Sequence, residues 1–345
     1  MTVSVIVLAD GKGRLDRAID SVLSQKRADV EVLVVARKPV KDIDALASKK
    51  GVEVFSPGES LSRAVAANEG IERCRGDWVT VIDGADWFDA DHFATMVATA
   101  SRSRGNLLVY SGVQLHGGSR VRDRSPGYWR QRLFEQPLVP ACGVMFSKEL
   151  VVRHGCRFDP QFALFEDWDF LLQCSALTDF LRAPGTSARH DESVRKPREN
   201  SVSANIGRLQ KKWGAQYEEV RSLADGAAHQ AAEANARRSP RDAMRPLRAA
   251  LQVDPGNPAL LSRLALSYGQ TGDAQQALLA LRRACDSDPG SATLLGDRVI
   301  LEHRMGQRDQ ARKSFVRLVE VSGSEADWAR MKAIGAVIGA RIEED

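Results

Sequence analysis

The chain has little cysteine, no long apolar run and almost no excess charge. Cys74, Cys142, Cys156, Cys174 and Cys285 are its five cysteines. They are odd in number and scattered, with no Cys-x-x-Cys pair. That pattern argues against a disulfide framework and against a zinc site, and for reduced thiols in a cytosol. The first apolar run, residues 3–8, stops at Asp10 and Gly11. It is too short for the core of a signal peptide, and no later stretch approaches the ~18 apolar residues of a membrane span. A formal net charge of +4 over 345 residues lacks the basic stripe of a nucleic-acid binder. These absences lead us to expect a cytoplasmic protein with no nucleic-acid partner. They leave room for a peripheral seat at the inner face of a membrane.

With 43% hydrophobic and 27% charged residues, the composition is that of globular protein. The length suits about two domains of ~100–200 residues. Val3-Ser4-Val5-Ile6-Val7-Leu8 is a continuous, mostly β-branched run that suits a parallel strand buried on both faces. Leu15, Ile19, Val22 and Leu23 then recur at helical spacing. Residues 30–35, 52–55 and 78–82 read as further strands, and residues 42–50 and 61–73 as helices. This alternation predicts an α/β sheet with its ligand edge at the strands' carboxyl ends. Residues 106–146 read as irregular, with short strand-like pieces at 107–110 and 143–146, and residues 166–176 as an amphipathic helix. Residues 182–212, rich in Arg, Lys, Ser and Asn, read as a loop and an exposed helix.

After about Tyr217 the sequence is helical throughout and repeats itself. Asp254-Pro255-Gly256-Asn257 returns as Asp288-Pro289-Gly290-Ser291, and Gly272-Asp273 as Gly306-Gln307, each 34 residues on. Ala243, Ala277 and Ala311 mark the same phase. A 34-residue period with a small residue mid-helix and Asp-Pro between helix pairs looks like tetratricopeptide repeats. We therefore expect an α/β domain over residues 1–216 and tetratricopeptide-like helical repeats over residues 217–345.

Asp83 and Asp86 follow the strand at 78–82, on the edge where open α/β sheets bind ligands. Carboxylates there can hold a divalent cation against a phosphate. Asp86 or Asp89 can equally cap a following helix. Glu166-Asp167-Trp168-Asp169 opens a helix, where acids are stabilising in their own right. Beside Phe165 and Trp168, one of these acids is also placed as a general base would be. Gly11-Lys12-Gly13 hints at a dinucleotide loop, but Asp16 stands where its third glycine should be, and a turn is the better reading. Arg182, Arg189, Arg195, Lys196, Arg198, Lys211 and Lys212 read as a solvated loop, a lid over phosphates or a contact for anionic lipid headgroups.

In order along the chain, several of these segments resemble the family-2 glycosyltransferases, inverting enzymes of GT-A fold, a Rossmann-like mixed sheet. The resemblance covers residues 3 to about 205. It runs through Val3-Ser4-Val5-Ile6-Val7, then the first helix at 15–25, Asn68-Glu69-Gly70-Ile71 and Gly76-Asp77-Trp78. It continues through Val81-Ile82-Asp83-Gly84-Ala85-Asp86-Trp87 to Glu166-Asp167-Trp168-Asp169 and a basic tail with His190. The resemblance implies a nucleotide-sugar donor and direct displacement at the anomeric carbon by an acceptor hydroxyl. Asp167, in its Glu166-Asp167 pair, would be the base, Asp83 would hold the ribose or a metal-bound water, and His190 would meet the diphosphate. Manganese or magnesium would be the cofactor.

Three elements depart from the family's pattern. Where the family has Asp-x-Asp-Asp, whose second acid binds the metal, this chain has Ala85. The second strand ends Ala36-Arg37-Lys38-Pro39 instead of in acids that read the base, and the first ends Leu8-Ala9-Asp10-Gly11 instead of Pro-x-Tyr-Asn. Two readings follow. In one, Asp86 takes the metal together with Asp83, Asp10 contacts the base, and Arg37 or Lys38 offsets the diphosphate charge. In the other, the domain is a non-catalytic scaffold that binds protein partners through its repeats. For the transferase, the expected acceptor is a glycan, a lipid-linked glycan or a protein, in polysaccharide biosynthesis or protein glycosylation.

Overall fold

The computed structural model describes residues 1–11, 14–40, 43–102, 105–194 and 199–339. Lys12, Gly13, Arg195, Lys196 and Arg198, named above, lie outside them. The chain forms two compact units, one of residues 1–125 and 136–214, the other of residues 126–135 and 215–345.

The first unit opens with β1 (Thr2–Ala9), α1 (Leu15–Leu23), β2 (Asp29–Ala36), α2 (Ile43–Ala47), β3 (Val52–Phe55), α3 (Arg63–Arg73) and β4 (Trp78–Asp83). There follow β5 (Trp87–Phe88), α4 (His92–Arg102), β6 (Leu108–His116) and β7 (Arg122–Arg124). The short helix α5 (Arg130–Glu135) belongs to the second unit. A 3-10 turn (Ala141–Gly143), β8 (Val144–Ser147), α6 (Glu149–Val152), α7 (Glu166–Ser175) and β9 (Phe180–Asp191) complete the sheet domain.

The strands form one nine-stranded sheet in the order β3-β2-β1-β4-β8-β6-β9-β5, with β7 on β6. β3, β2, β1 and β4 run parallel. Seven of the eight β1 residues are buried, as a β-branched run sealed on both faces requires. The chain leaves β1 first toward β2 and β3 and later returns on its other side as β4. The carboxyl ends of β1, β2 and β4 therefore flank a topological switch point, where such sheets open a crevice.

Several motif residues serve this frame directly. The Asn68 side chain donates to the Phe158 carbonyl at 2.8 Å and accepts from the Phe158 N–H at 3.0 Å. It thereby ties α3 to the segment that leads into α7. A side chain at Gly70 would meet the Ile6 Cγ2 at 2.5 Å, and one at Gly76 would meet the Ser4 amide nitrogen and the Thr2 carbonyl oxygen at 2.8 Å. Both glycines let α3 and its exit pass close to β1.

Three expectations are corrected. Residues 182–191 are not loop: they belong to β9, which lies between β6 and β5. Its register jumps from Tyr110↔Arg182 to Gly112↔Thr186, so Ala183, Pro184 and Gly185 bulge out where proline cannot donate. That bulge and the polar composition hide the strand in the sequence. Helix α7 is not amphipathic, because eight of its residues are buried. The piece expected at 107–110 is the start of a longer strand, β6.

The helices of the second unit are α8 (Glu199–Ala236), whose first turns lie in the first unit, then α9 (Pro240–Val253), α10 (Pro258–Gln270) and α11 (Ala274–Ser287). They end with α12 (Ala292–Arg304), α13 (Arg308–Val321) and α14 (Glu325–Ile338). From α9 on, each helix packs on the next, and α14 also packs on α12. The 34-residue period has a structural counterpart. Ala243, Ala277 and Ala311 are small residues buried at matching positions of α9, α11 and α13. Asn257 and Ser291 accept backbone N–H bonds as the N-caps of α10 and α12. Gly272 and Gly306 take φ of +83° and +75° at the turns that follow those helices, a conformation that favours glycine. Among the described residues, no helix is long and apolar enough to cross a membrane.

Candidate functional site

The switch point carries most of the acids and cations singled out in the sequence. Asp10 follows β1, Arg37 follows β2 and Asp83 ends β4. His190 arrives from the end of β9, where it pairs with Leu115 of β6. Asp10, Arg37, Asp83 and His190 line one cavity, together with Lys38, Arg63, Gly84, Ala85 and Asp191. Asp10 and Arg37 form an ion pair at 3.7 Å.

A second cavity adjoins it through Arg63, Asp83 and His190. Its other walls are apolar or mixed: Leu115, Pro137, Val139, Pro140, Leu164 and Phe165, with Asp86, Arg124, Glu192 and Asp167. Asp167 is half-buried, and its Oδ1 accepts from the Trp168 N–H at 2.9 Å. The residue before the Glu166-Asp167 pair, Phe165, has φ +66° and ψ +20°. A bulky residue in the left-handed region is strained. That bend sets the first turn of α7 at the wall of the cavity.

Glu166, expected beside Asp167 as a catalytic acid, is elsewhere. Its side chain is 1% exposed, and its Oε1 accepts from Arg63 Nη1 at 2.8 Å. It lines neither cavity. Arg63 is the residue that sequence reasoning missed. Its Nε donates to Asp83 Oδ1 at 3.0 Å, so one buried guanidinium ties the end of β4 to the start of α7. Burial opposes that charge, but Asp83, Glu166 and Asp167 outweigh it and hold the guanidinium well above its ordinary pKa. A signal was present in the sequence: Arg63 shares its helix face with Ala67, Gly70 and Ile71, all buried. An arginine on such a face must have a buried acid as partner.

Asp86, expected as a metal ligand, is 2% exposed and committed within the protein. Its Oδ1 accepts from His190 Nδ1 at 2.8 Å, and its Oδ2 from the Asp83 N–H at 3.1 Å. It is a turn lock, close to the capping alternative. Burial alone would lower the His190 pKa. The hydrogen bond and charge of Asp86, with the charge of Asp83, overcome that and raise it above its ordinary value. With Nδ1 engaged by Asp86, Nε2 is the nitrogen left to serve a ligand.

Among the described residues, Asp86, Cys142 and His190 bring potential metal-ligand atoms within 4.8 Å of one another. Sequence reasoning passed over Cys142. The set does not suit manganese or magnesium, which favour several oxygen ligands in near-octahedral array. It supplies one carboxylate, already accepting three hydrogen bonds, with one imidazole and one thiol. Burial, then the charges of Asp86 and Asp83, push the Cys142 pKa well above its usual range. Of the expected pair, Asp83 Oδ1 accepts from Arg63, and Asp86 accepts from His190 and the Asp83 N–H.

Three residues of the basic stretch are also bound internally. Arg182 donates to Ser125 Oγ at 2.6 Å, Arg189 to Asp89 at 2.6 Å, and Lys212 bridges Asp159 and Asp169 at 2.9 Å. They brace the fold and are not part of a lid.

Residues 4–149 match the model of Glycosyl transferase family 2. The match covers β1 through β8, less than half of the chain, and stops before Asp167 and His190. No curated protein matches the chain. Among solved structures, S. aureus TarS 1–349 in complex with UDP-GlcNAc is similar at 12% identity and a TM-score of 0.49, covering 100% of this chain and 94% of that one. S. aureus TarS 1–349 is similar at 11% and 0.48, covering 83% and 91%, and S. aureus TarS at 11% and 0.49, covering 80% and 54%. The N-terminal unit is itself a mixed sheet of parallel and antiparallel strands, and a region of many helices follows it.

Proposed function

We propose that the chain is an inverting, nucleotide-sugar-dependent glycosyltransferase. The observation that carries this reading is the pair of adjoining cavities at the carboxyl ends of the parallel strands. One is lined by cations and acids, the other by apolar residues and Asp167, and Arg63, Asp83 and His190 are common to both. The match of residues 4–149 to the transferase family supports it.

In this reading the nucleoside diphosphate lies in the first cavity. Asp10 and Asp83 bond the base and ribose, and Arg37, Lys38 and His190 meet the phosphates. The acceptor enters the second cavity. Asp167 takes the proton of the acceptor hydroxyl as its oxygen bonds to the anomeric carbon. The bond from that carbon to the diphosphate oxygen breaks, and its electron pair leaves with the phosphate. Side-chain cations fixed before the reaction stabilise the charge gathering there. Glu166 acts at one remove, by holding Arg63.

The helical unit, residues 217–345, is read as a tetratricopeptide-type array that recruits the acceptor or a protein partner, since stacked helix pairs build concave binding surfaces. The 34-residue recurrence of caps, turns and small buried residues supports this. The acceptor class is a glycan, a lipid-linked glycan or a protein.

A second reading, a scaffold that binds and does not catalyse, is favoured by one observation, the alanine at position 85. Thermal unfolding with UDP, GDP, dTDP, CDP and ADP separates the two. At a hundred times its Kd, a ligand adds ~2.7 kcal/mol, a shift of roughly 2–4 °C for a chain of this size. A shift with one diphosphate supports the transferase. No shift with any leaves the scaffold.

A further inference from the structure

The acids at the head of the cleft are already balanced by a side chain. Ala85 is 3% exposed and has no ligand atom on its side chain. Its carbonyl accepts from Arg17 Nη2 at 3.0 Å, so the backbone oxygen there is engaged as well. Asp86 is held by His190 at 2.8 Å and by the Asp83 N–H at 3.1 Å. Between Asp83, which lines the cleft, and Glu166, buried behind its wall, stands Arg63. Its side chain is 7% exposed, at 3.0 Å from one acid and 2.8 Å from the other. A guanidinium is permanently charged, and its fixed fork suits two carboxylates at once. The remaining ligand cluster, with Cys142, has the wrong donors for a hard cation.

We infer that this chain has exchanged the divalent cation of its donor site for built-in side-chain cations. Arg63 balances Asp83 and Glu166, while Arg37, Lys38 and His190 meet the diphosphate, and donor binding needs no metal. The inference rests on the transferase reading and goes further by assigning the source of positive charge. Lys38 is exposed, and Arg37 is half-buried against Asp10. Both stand on the turn after β2 where the family's acids would stand, so the exchange of acid for base there fits the same substitution.

The test is calorimetric titration of the full chain with UDP, GDP, dTDP, CDP and ADP, in excess EDTA and again in excess manganese. The expected result is one diphosphate that binds with the same Kd, within about twofold, under both conditions. Affinity greater by about tenfold or more in manganese overturns the inference and leaves the transferase reading standing. Failure of every diphosphate under both conditions overturns the transferase reading, and the inference with it. Two further measurements bear on the metal directly. Manganese electron paramagnetic resonance on the protein alone should show free aquo ion only, and metal analysis should find no stoichiometric zinc. A bound signal, or zinc at one per chain, overturns the exchange. Ala85→Asp, if it folds, should gain manganese binding. Should it not fold, the comparison of EDTA with manganese in the unaltered protein decides by itself.

Discussion

Removing the Arg63 guanidinium should cost more stability than any surface ion pair in the protein. Arg63→Met keeps most of the stem and deletes the charge. Two acids lose their ion pair with Arg63, and they are not equivalent. The Asp83 side chain is 27% exposed and can turn to water, so its arm is worth about 1 kcal/mol or less. The Glu166 side chain is 1% exposed. Deprived of the guanidinium, this buried carboxylate carries the penalty for breaking a buried ion pair from one side, roughly 3–5 kcal/mol. The expected total is therefore about 4 kcal/mol, nearly all of it from Glu166. If that assignment is right, Glu166→Gln in the Arg63→Met background should recover about 2–3 kcal/mol, because the amide needs no counter-charge. Urea unfolding followed by tryptophan fluorescence, for wild type, both single variants and the double variant, reads the coupling as a shift in midpoint at constant slope. A cost below about 1 kcal/mol for Arg63→Met, or a double variant as unstable as the sum of the singles, would falsify the placement of this pair at the heart of the site.

Asp167→Asn should lower sugar transfer by about 10²–10⁴-fold while diphosphate binding, read by calorimetry, stays unchanged; equal loss of both would deny Asp167 the role of base. His92 is fully buried, stacked on Phe88 with its Nδ1 at 2.8 Å from Ser187 Oγ, and burial, with a contribution from Arg189, lowers its pKa to about 3. The unfolded chain therefore takes up a proton near pH 6.5 that the folded chain refuses. Stability present above that pH should fall by about 1.4 kcal/mol per unit as the pH drops toward the folded value. Compared across pH 7 to 4.5, the His92→Phe variant should lack roughly 2–3 kcal/mol of this loss; parallel profiles would contradict it. Gly76→Ala forces a Cβ to within 2.8 Å of two backbone atoms of the β1 strand, which should destabilise by about 1–3 kcal/mol in the same urea assay. A neutral result would show that β1 can yield there.

Much of this protein is decided locally, and so it is legible in its sequence. The β-branched run of β1, the helical spacing that follows it and the 34-residue recurrence of Asp254 and Asp288 are short-range patterns. Each is fixed by which faces must be buried and which turns need a cap or a glycine. The carboxyl ends of β1, β2 and β4 follow from strand order, so Asp10, Arg37 and Asp83 could be put on one edge before any coordinates. Tertiary structure alone decided the partners. Strand β9 is polar and broken at Pro184 and Gly185, and only pairing with β6, distant in the chain, makes it a strand and brings His190 to Asp86. Glu166 and Asp167 are neighbours in sequence and look interchangeable there. The left-handed turn at Phe165 and the start of α7 send one carboxylate into Arg63 and the other to the cavity wall. Charge balance inside a fold depends on which side chains meet at about 3 Å. A sequence names the acids and the arginine, and packing alone says that they face each other.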